Sequence, residues 1–178
     1  MNTLFSHVCV VTMDDRMSVW TDAFVGVTDG KISYLSKHAP EEKPAQIIDA
    51  TGMVLMPGLI NCHTHLPMQL LRGYADDLKL QEWLNDYIFP REDRLDGRCV
   101  RAATTLAVAE CLKFGVTSVS DMYYFCDDIC DVIAKSGMKA NISRGTSMFL
   151  GDDFDFEKFP ACQELVALKE KWHNYDGG

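Results

Sequence analysis

The segment Leu59-Ile-Asn-Cys-His-Thr-His65, with the breaker Pro67 close behind it, reads as a short apolar strand ending on two histidines. In a strand, residues i and i+2 point to the same side, so the imidazoles of His63 and His65 face one way and Thr64 faces the other. Two imidazoles so placed can ligate one metal ion, a common arrangement for zinc. In a parallel α/β barrel the carboxyl ends of strands are where active sites form. The plain alternative is two ordinary histidines beside a loop, since so short a motif also arises by chance.

Downstream, strands and helices alternate. Leu80 to Phe89 is expected to be helical, with Asp76 and Asp77 capping it. Asp96 is a candidate N-cap for a helix that runs to Phe114 and stops at Gly115. Val100, Ala103, Ala107, Cys111 and Phe114 recur at spacings of three and four, the stripe of a helix packed on a sheet. Val116 to Ser120 is expected to be a strand ending at Asp121, a residue that could also cap the next helix. Cys126, Ile129 and Ile133 mark that helix, closed by Gly137. Met138 to Ser143 is a third strand, and Ala161, Leu165, Leu168 and Trp172 line a last helix. This alternation predicts βαβ units and a parallel sheet.

Upstream, the pattern is β. Leu4 to Thr12 is rich in Val and Phe and stops at Asp14-Asp15. Ala23, Val25 and Val27 alternate up to the hairpin turn Asp29-Gly30, and Ile32 and Tyr34 resume on the return strand. Ile47-Ile-Asp49 and Met53 to Met56 follow, separated by the turn Ala50-Thr-Gly52, before Pro57-Gly58 closes the region.

Composition narrows the class. Hydrophobic residues make up 47% and charged residues 24%, ordinary globular proportions. Seventeen basic against twenty-six acidic residues give a formal charge of −9, and no stretch is basic enough to track a phosphate backbone, so nucleic acid is not an expected partner. No apolar run approaches the ~20 residues that span a bilayer, and the first residues lack a signal-peptide pattern. A cytoplasmic protein with no membrane partner is expected. The seven cysteines are odd in number and form no C-x-x-C pair, which predicts buried reduced thiols.

A longer string of residues carries a resemblance. Met56-Pro-Gly-Leu-Ile-Asn-Cys-His-Thr-His65, preceded by β strands, resembles the opening of the amidohydrolase superfamily. His65-Leu-Pro-Met-Gln-Leu-Leu-Arg-Gly-Tyr-Ala-Asp-Asp77, Trp83-Leu84 and Ile88-Phe-Pro-Arg-Glu92 are similar to the deaminases of methylthioadenosine and S-adenosylhomocysteine. Gly115-Val-Thr-Ser-Val-Ser-Asp-Met-Tyr123 continues the likeness, which extends from about Leu4 to Arg144. Guanine deaminases and triazine hydrolases have related openings.

The resemblance implies an α/β fold: a partial metal-dependent (β/α)8 TIM barrel of about three βα units, preceded by a small N-terminal β-sandwich segment. Residues 1–56 would be the sandwich segment and residues 57–178 the N-terminal half of the barrel. It implies that His63 and His65 are the first two metal ligands, for Zn2+ or another divalent metal such as Fe2+. Trp83 would line the nucleoside pocket, Glu92 would hold the ribose hydroxyls, and Arg144 would contact the amino-acid tail of the substrate. The implied reaction is hydrolytic removal of the C6 amino group of an adenosine-type nucleoside, driven by water that a metal has acidified.

Further ligands and the proton-transferring Glu and Asp come from later barrel strands, so no catalytic residue is expected within this chain. The stretch after Pro57 is short against the ~250 residues of a full barrel. The chain therefore reads as truncated, inactive alone and prone to self-association through open edges.

Each residue has a simpler reading too. Trp83 could anchor its helix, Glu92 could belong to a solvated charged turn, and Arg144 could be a strand-end charge in water. The acidic run Gly151-Asp-Asp-Phe-Asp155 would repel a carboxylate tail, which favours methylthioadenosine or adenosine, although Lys158 could reach in. His7, His38 and His173 have no spacing partner. The competing functions are a triazine-type hydrolase or guanine deaminase on the same fold, and a catalytically silent metal-binding fragment.

Overall fold

The computed structural model describes residues 1–146 and 153–175, and its backbone divides into two units, Met1–Pro57 and Gly58–Gly178. Among the described residues no helix is long and apolar enough to cross a membrane.

The first unit is one five-stranded mixed sheet built around β1 (Thr3–Val11). On one edge β1 pairs antiparallel with β2 (Val19–Thr28), which pairs antiparallel with β3 (Lys31–Ser36). On the other edge β4 (Gln46–Asp49) and β5 (Val54–Leu55) lie parallel to successive parts of β1. Period-2 alternation buries Leu4, Ser6, Val8 and Val10 of β1, and Val8 and Val10 pack with Ala23, Val25 and Ala50. Asp29 and Gly30 turn the hairpin with φ of 49° and 74°, the left-handed pair that a two-residue loop requires. His7 bonds Asp22 across a register shift, Nδ1 to Oδ1 at 2.7 Å.

The second unit carries three parallel strands in the order β6 (Leu59–Thr64), β7 (Val116–Tyr123), β8 (Lys139–Arg144). A 3-10 turn, Leu66–Leu71, follows β6. The segment expected to be helical from Leu80 to Phe89 continues further, through α1 (Leu80–Glu82), a π-helical stretch Trp83–Ile88 and α2 (Phe89–Glu92). Asp76 and Asp77 do not cap it. The N-cap position is Lys79, with no side-chain cap bond, and Asp77 has turned into left-handed backbone (φ 64°).

α3 (Gly97–Lys113) is capped as expected, Asp96 accepting from the Cys99 amide at 2.7 Å. α4 (Cys126–Ser136) ends on Gly137 at φ 74°, and α5 (Pro160–Trp172) completes the unit. Val100, Ala107 and Val108 of α3 pack with Val119 and Tyr123 of β7 and with Ile129 and Ile133 of α4.

β7 is longer than the sequence predicts. Pairing with β8 continues to Tyr123 opposite Arg144, so Asp121 lies inside the strand and is buried (1% exposed) rather than standing at its end. Nor does Asp121 cap α4, whose N-cap position is Phe125. Among the described residues β6 pairs with β7 alone, and Leu59 and Ile60 are 52% and 68% exposed.

α5 is tied to α4 by one carboxylate. Lys171 Nζ reaches Asp127 Oδ1 and Oδ2 at 2.7 and 2.9 Å, and Trp172 Nε1 donates to Oδ1 at 2.7 Å. The hydrogen bonds from Lys171 and Trp172 hold the Asp127 carboxyl below its ordinary value of 3.8. Folded chains therefore bind fewer protons there than unfolded ones. The stabilisation is complete above 3.8 and is lost as pH falls through the lowered native value. Hydrogen exchange of the α5 amides should show protection failing in that acid window, whereas Asp127→Asn should lower protection already at neutral pH and show no acid step of its own.

The cysteines are free. Cys126, Cys130 and Cys162 are buried, and burial pushes the Cys126 and Cys130 thiols up to about 11 and about 12. Cys62 departs from the buried expectation because its edge strand is exposed along nearly its whole length. Alkylation of the folded chain at about pH 8 should modify Cys62 first and spare Cys126 and Cys130 until denaturant is added, as peptide mass mapping would show.

Candidate metal centre and adjoining cleft

β6 carries His63 as its penultimate residue, and His65 is the first residue after the strand ends. Their Nε2 atoms stand 3.3 Å apart, with ring centroids at 5.1 Å. His65 Nδ1 lies 2.7 Å from the Met122 carbonyl. A carbonyl only accepts, so Nδ1 carries the proton and Nε2 of the neutral ring presents a lone pair towards His63. Two nitrogens bonded at about 2.0–2.1 Å to one tetrahedral cation stand roughly 3.3 Å apart, so the pair fits one zinc-sized ion. Among the described residues no group of three or more His, Cys, Asp and Glu is placed to surround a metal, so the pair supplies two ligands of a four-ligand shell.

Thr64 turns the other way, its hydroxyl 2.7 Å from Asp121 Oδ1 and 3.1 Å from the Ser120 carbonyl. Asp121 Oδ1 also accepts from the Leu66 amide at 2.6 Å. Burial raises the Asp121 carboxyl above its ordinary value, against the opposing pull of these bonds. Its Oδ2 is buried with no hydrogen-bond partner among the described residues.

Beyond the carboxyl ends of β7 and β8 lies a cleft of about 930 Å3. Glu92 and Arg144 both line it, together with Tyr124, Phe125 and Glu164. His63, His65 and Trp83 are not among its lining residues. Trp83 sits half-buried in the π-helical stretch.

Tyr123 connects the two places. Its hydroxyl donates to Glu92 Oε1 at 2.6 Å, and its ring centroid is 6.3 Å from that of His65. Burial, reinforced by the Glu92 carboxylate, pushes the phenol far above its usual range, so it remains an O–H donor at neutral pH. Glu92 is thus half-buried and anchored rather than free in a solvated turn.

Arg144 is not a free strand-end charge. Nε donates to Glu164 Oε2 at 2.5 Å, a guanidinium N–H donates to the Gly145 carbonyl, and the guanidinium lies 4.7 Å above the Tyr124 ring. Lys158 is 84% exposed and pairs with Asp155 at 2.6 Å. Gly151 and Asp152 of the acidic run lie outside the described residues.

Sequence reasoning missed the role of Tyr123 and the burial of Asp121. The available signal was the alternation Val119, Asp121, Tyr123, which puts a carboxylate on an otherwise apolar strand face.

The profile of the amidohydrolase family matches residues 54–172. A 5'-deoxyadenosine deaminase from Methanosarcina acetivorans is 40% identical over 142 residues, covering 80% of this chain and 33% of the relative. A 5-methylthioadenosine/S-adenosylhomocysteine deaminase from Pelotomaculum thermopropionicum is 39% identical over 175 residues, covering 97% of this chain and 39% of the relative. The chain thus spans about a third to two fifths of the length of these curated relatives.

Among solved structures, a zinc-bound adenosine deaminase from Xanthomonas campestris superposes with a TM-score of 0.71 at 36% identity, over 78% of this chain and 33% of that one. The zinc complex of the atrazine chlorohydrolase TrzN from Arthrobacter aurescens TC1 superposes with a TM-score of 0.83 at 21% identity, over 96% and 43%, a likeness of fold alone. With the family profile covering well over half of its length, this chain belongs to the amidohydrolase family.

Proposed function

We propose that the chain is the opening portion of a metal-dependent hydrolytic deaminase that removes the C6 amino group of an adenosine-type nucleoside. Residues 57–178 supply the first three βα units of a (β/α)8 barrel, and residues 1–56 supply part of a β-sandwich segment. The observation that carries this reading is the convergence of His63 and His65, Nε2 to Nε2 at 3.3 Å, with the tautomer of His65 fixed by Met122. The family and the names of the relatives supply the reaction class.

His63 and His65 would hold the cation, with zinc the first choice because the related adenosine deaminase and TrzN structures contain it. When bound, such a cation supplies an acidified water as nucleophile near neutral pH. This chain's own residues bind and orient. Tyr123 holds one oxygen of Glu92, which aims the carboxylate and leaves the other oxygen free to accept from the ribose diol.

Arg144 faces the 5' substituent with its charge already compensated by Glu164. That arrangement favours a neutral substituent, as in methylthioadenosine or 5'-deoxyadenosine, over a homocysteine carboxylate. Remaining ligands and proton-transfer groups come from outside these residues, so the chain alone is inactive. The exposed Leu59 and Ile60 of an edge strand support its self-association.

Two measurements test this. Calorimetric titration of the chain with zinc should show one weak site, with His63→Ala and His65→Ala each lowering affinity by more than about a hundredfold, beyond what loss of an outer-shell partner costs. Equal binding by wild type and both variants would remove these histidines from the site. In the complete enzyme, Glu92→Gln should raise KM for methylthioadenosine by roughly ten- to a hundredfold, the weight of a hydrogen bond to a charged group, and should leave hydrolysis of a ribose-free triazine unchanged. Ammonia release from methylthioadenosine by the isolated 178-residue chain would contradict its assignment as a portion.

A further inference from the structure

We propose that Asp121 is a positioning residue that sets where His65 stands, acting from the opposite face of the sheet. This rests on the reading of His63 and His65 as a metal pair. The β6 ladder ends at Thr64, and His65 has already left strand geometry, with φ −134° and ψ 74°. Sheet pairing therefore reaches Thr64, opposite Asp121, and leaves His65 to other contacts.

Those contacts come from three consecutive residues of β7. The carbonyl of Ser120 and Oδ1 of Asp121 take the Thr64 hydroxyl, and the same Asp121 oxygen takes the Leu66 amide. The Met122 carbonyl takes His65 Nδ1. One carboxylate oxygen thus holds the residues on both sides of His65, Thr64 by its hydroxyl and Leu66 by its amide, while the next residue along β7 orients the His65 ring.

Asp121 shares its strand face with Val119 and Tyr123, which pack into the helix-covered core, and it is 1% exposed. A carboxyl group in such a place is costly, and an apolar residue would fill the face more cheaply. Its second oxygen has no partner among the described residues, so every bond it makes there goes to the segment around His65. The arrangement works as an outer shell for the imidazole pair. It acts on where the metal-binding nitrogen is held and leaves the nitrogen itself untouched.

The test compares the wild-type chain with Asp121→Asn, Asp121→Ala, Thr64→Val and Thr64→Ser, with circular dichroism reporting the fold. Two readouts are taken: zinc affinity, and the ring 15N shifts of His65 in the metal-free chain. Asp121→Asn and Asp121→Ala are expected to weaken zinc binding by roughly ten- to a hundredfold and to shift His65 from its Nδ1–H form towards a mixture of tautomers. Thr64→Val should give a smaller loss that Thr64→Ser, which keeps the hydroxyl, does not. In a His65→Ala background, Asp121→Asn should cost nothing further, a result that a purely structural tie would not give.

Folded Asp121 variants with wild-type zinc affinity and unchanged His65 shifts would overturn the proposal. So would unfolding of every variant, which would make Asp121 a folding residue only. If the wild-type chain bound no zinc, the metal reading would fail by itself, and the ring shifts would still decide whether Asp121 governs His65.

Discussion

The hydrogen bond from His65 Nδ1 to the Met122 carbonyl, 2.7 Å long, is the constraint from which the site follows. Without it the imidazole of His65 could carry its proton on either nitrogen and rotate about its side-chain bonds. With it, Nε2 is an acceptor, held 3.3 Å from its counterpart on His63. The bond exists only because β6 and β7 run parallel in the register that sets Thr64 opposite Asp121, which places Met122 one residue further along. That register depends in turn on the core of Val119, Tyr123, Val100 and Ile129, which fixes β7 against its helices. The chemistry at the strand ends is thus downstream of apolar burial on the other face.

Charge decides what the adjoining cleft can receive. Glu92 enters it with one oxygen committed to Tyr123, and Arg144 enters with its guanidinium shared between Glu164, the Gly145 carbonyl and the Tyr124 ring. A carboxylate-bearing substituent would have to compete with Glu164 for that cation, whereas a methylthio or methyl group would not. Asp93 on the cleft wall acts in the same direction, whereas Asp127 and Asp128 are paired with Lys171 and Arg101.

Local signals were legible in the sequence because their physics is local. The Asp96 cap, the Asp29-Gly30 turn and the Gly137 stop each depend on a few neighbouring residues, and the structure contains all three features. What escaped depends on partners distant in the chain. Asp121 looked like the end of a strand because the extension of β7 is decided by β8, about twenty residues later. Arg144 looked free because Glu164 lies on α5, and Glu92 looked solvated because Tyr123 comes from another element. Asp76 and Asp77 resembled caps by type, but left-handed backbone at Ala75 and Asp77 turns the chain before the helix begins. Cys62 resembled a core thiol by composition, and only the edge position of β6 exposes it.

X-ray absorption at the zinc edge of the metal-loaded chain tests the shared-cation claim most directly. The expected spectrum shows scattering from two imidazoles with nitrogens at about 2.0–2.1 Å and the remaining positions filled by light oxygen atoms. A dominant sulfur shell at about 2.3 Å, as Cys62 or another thiol would give, or a spectrum with no imidazole contribution, would contradict it.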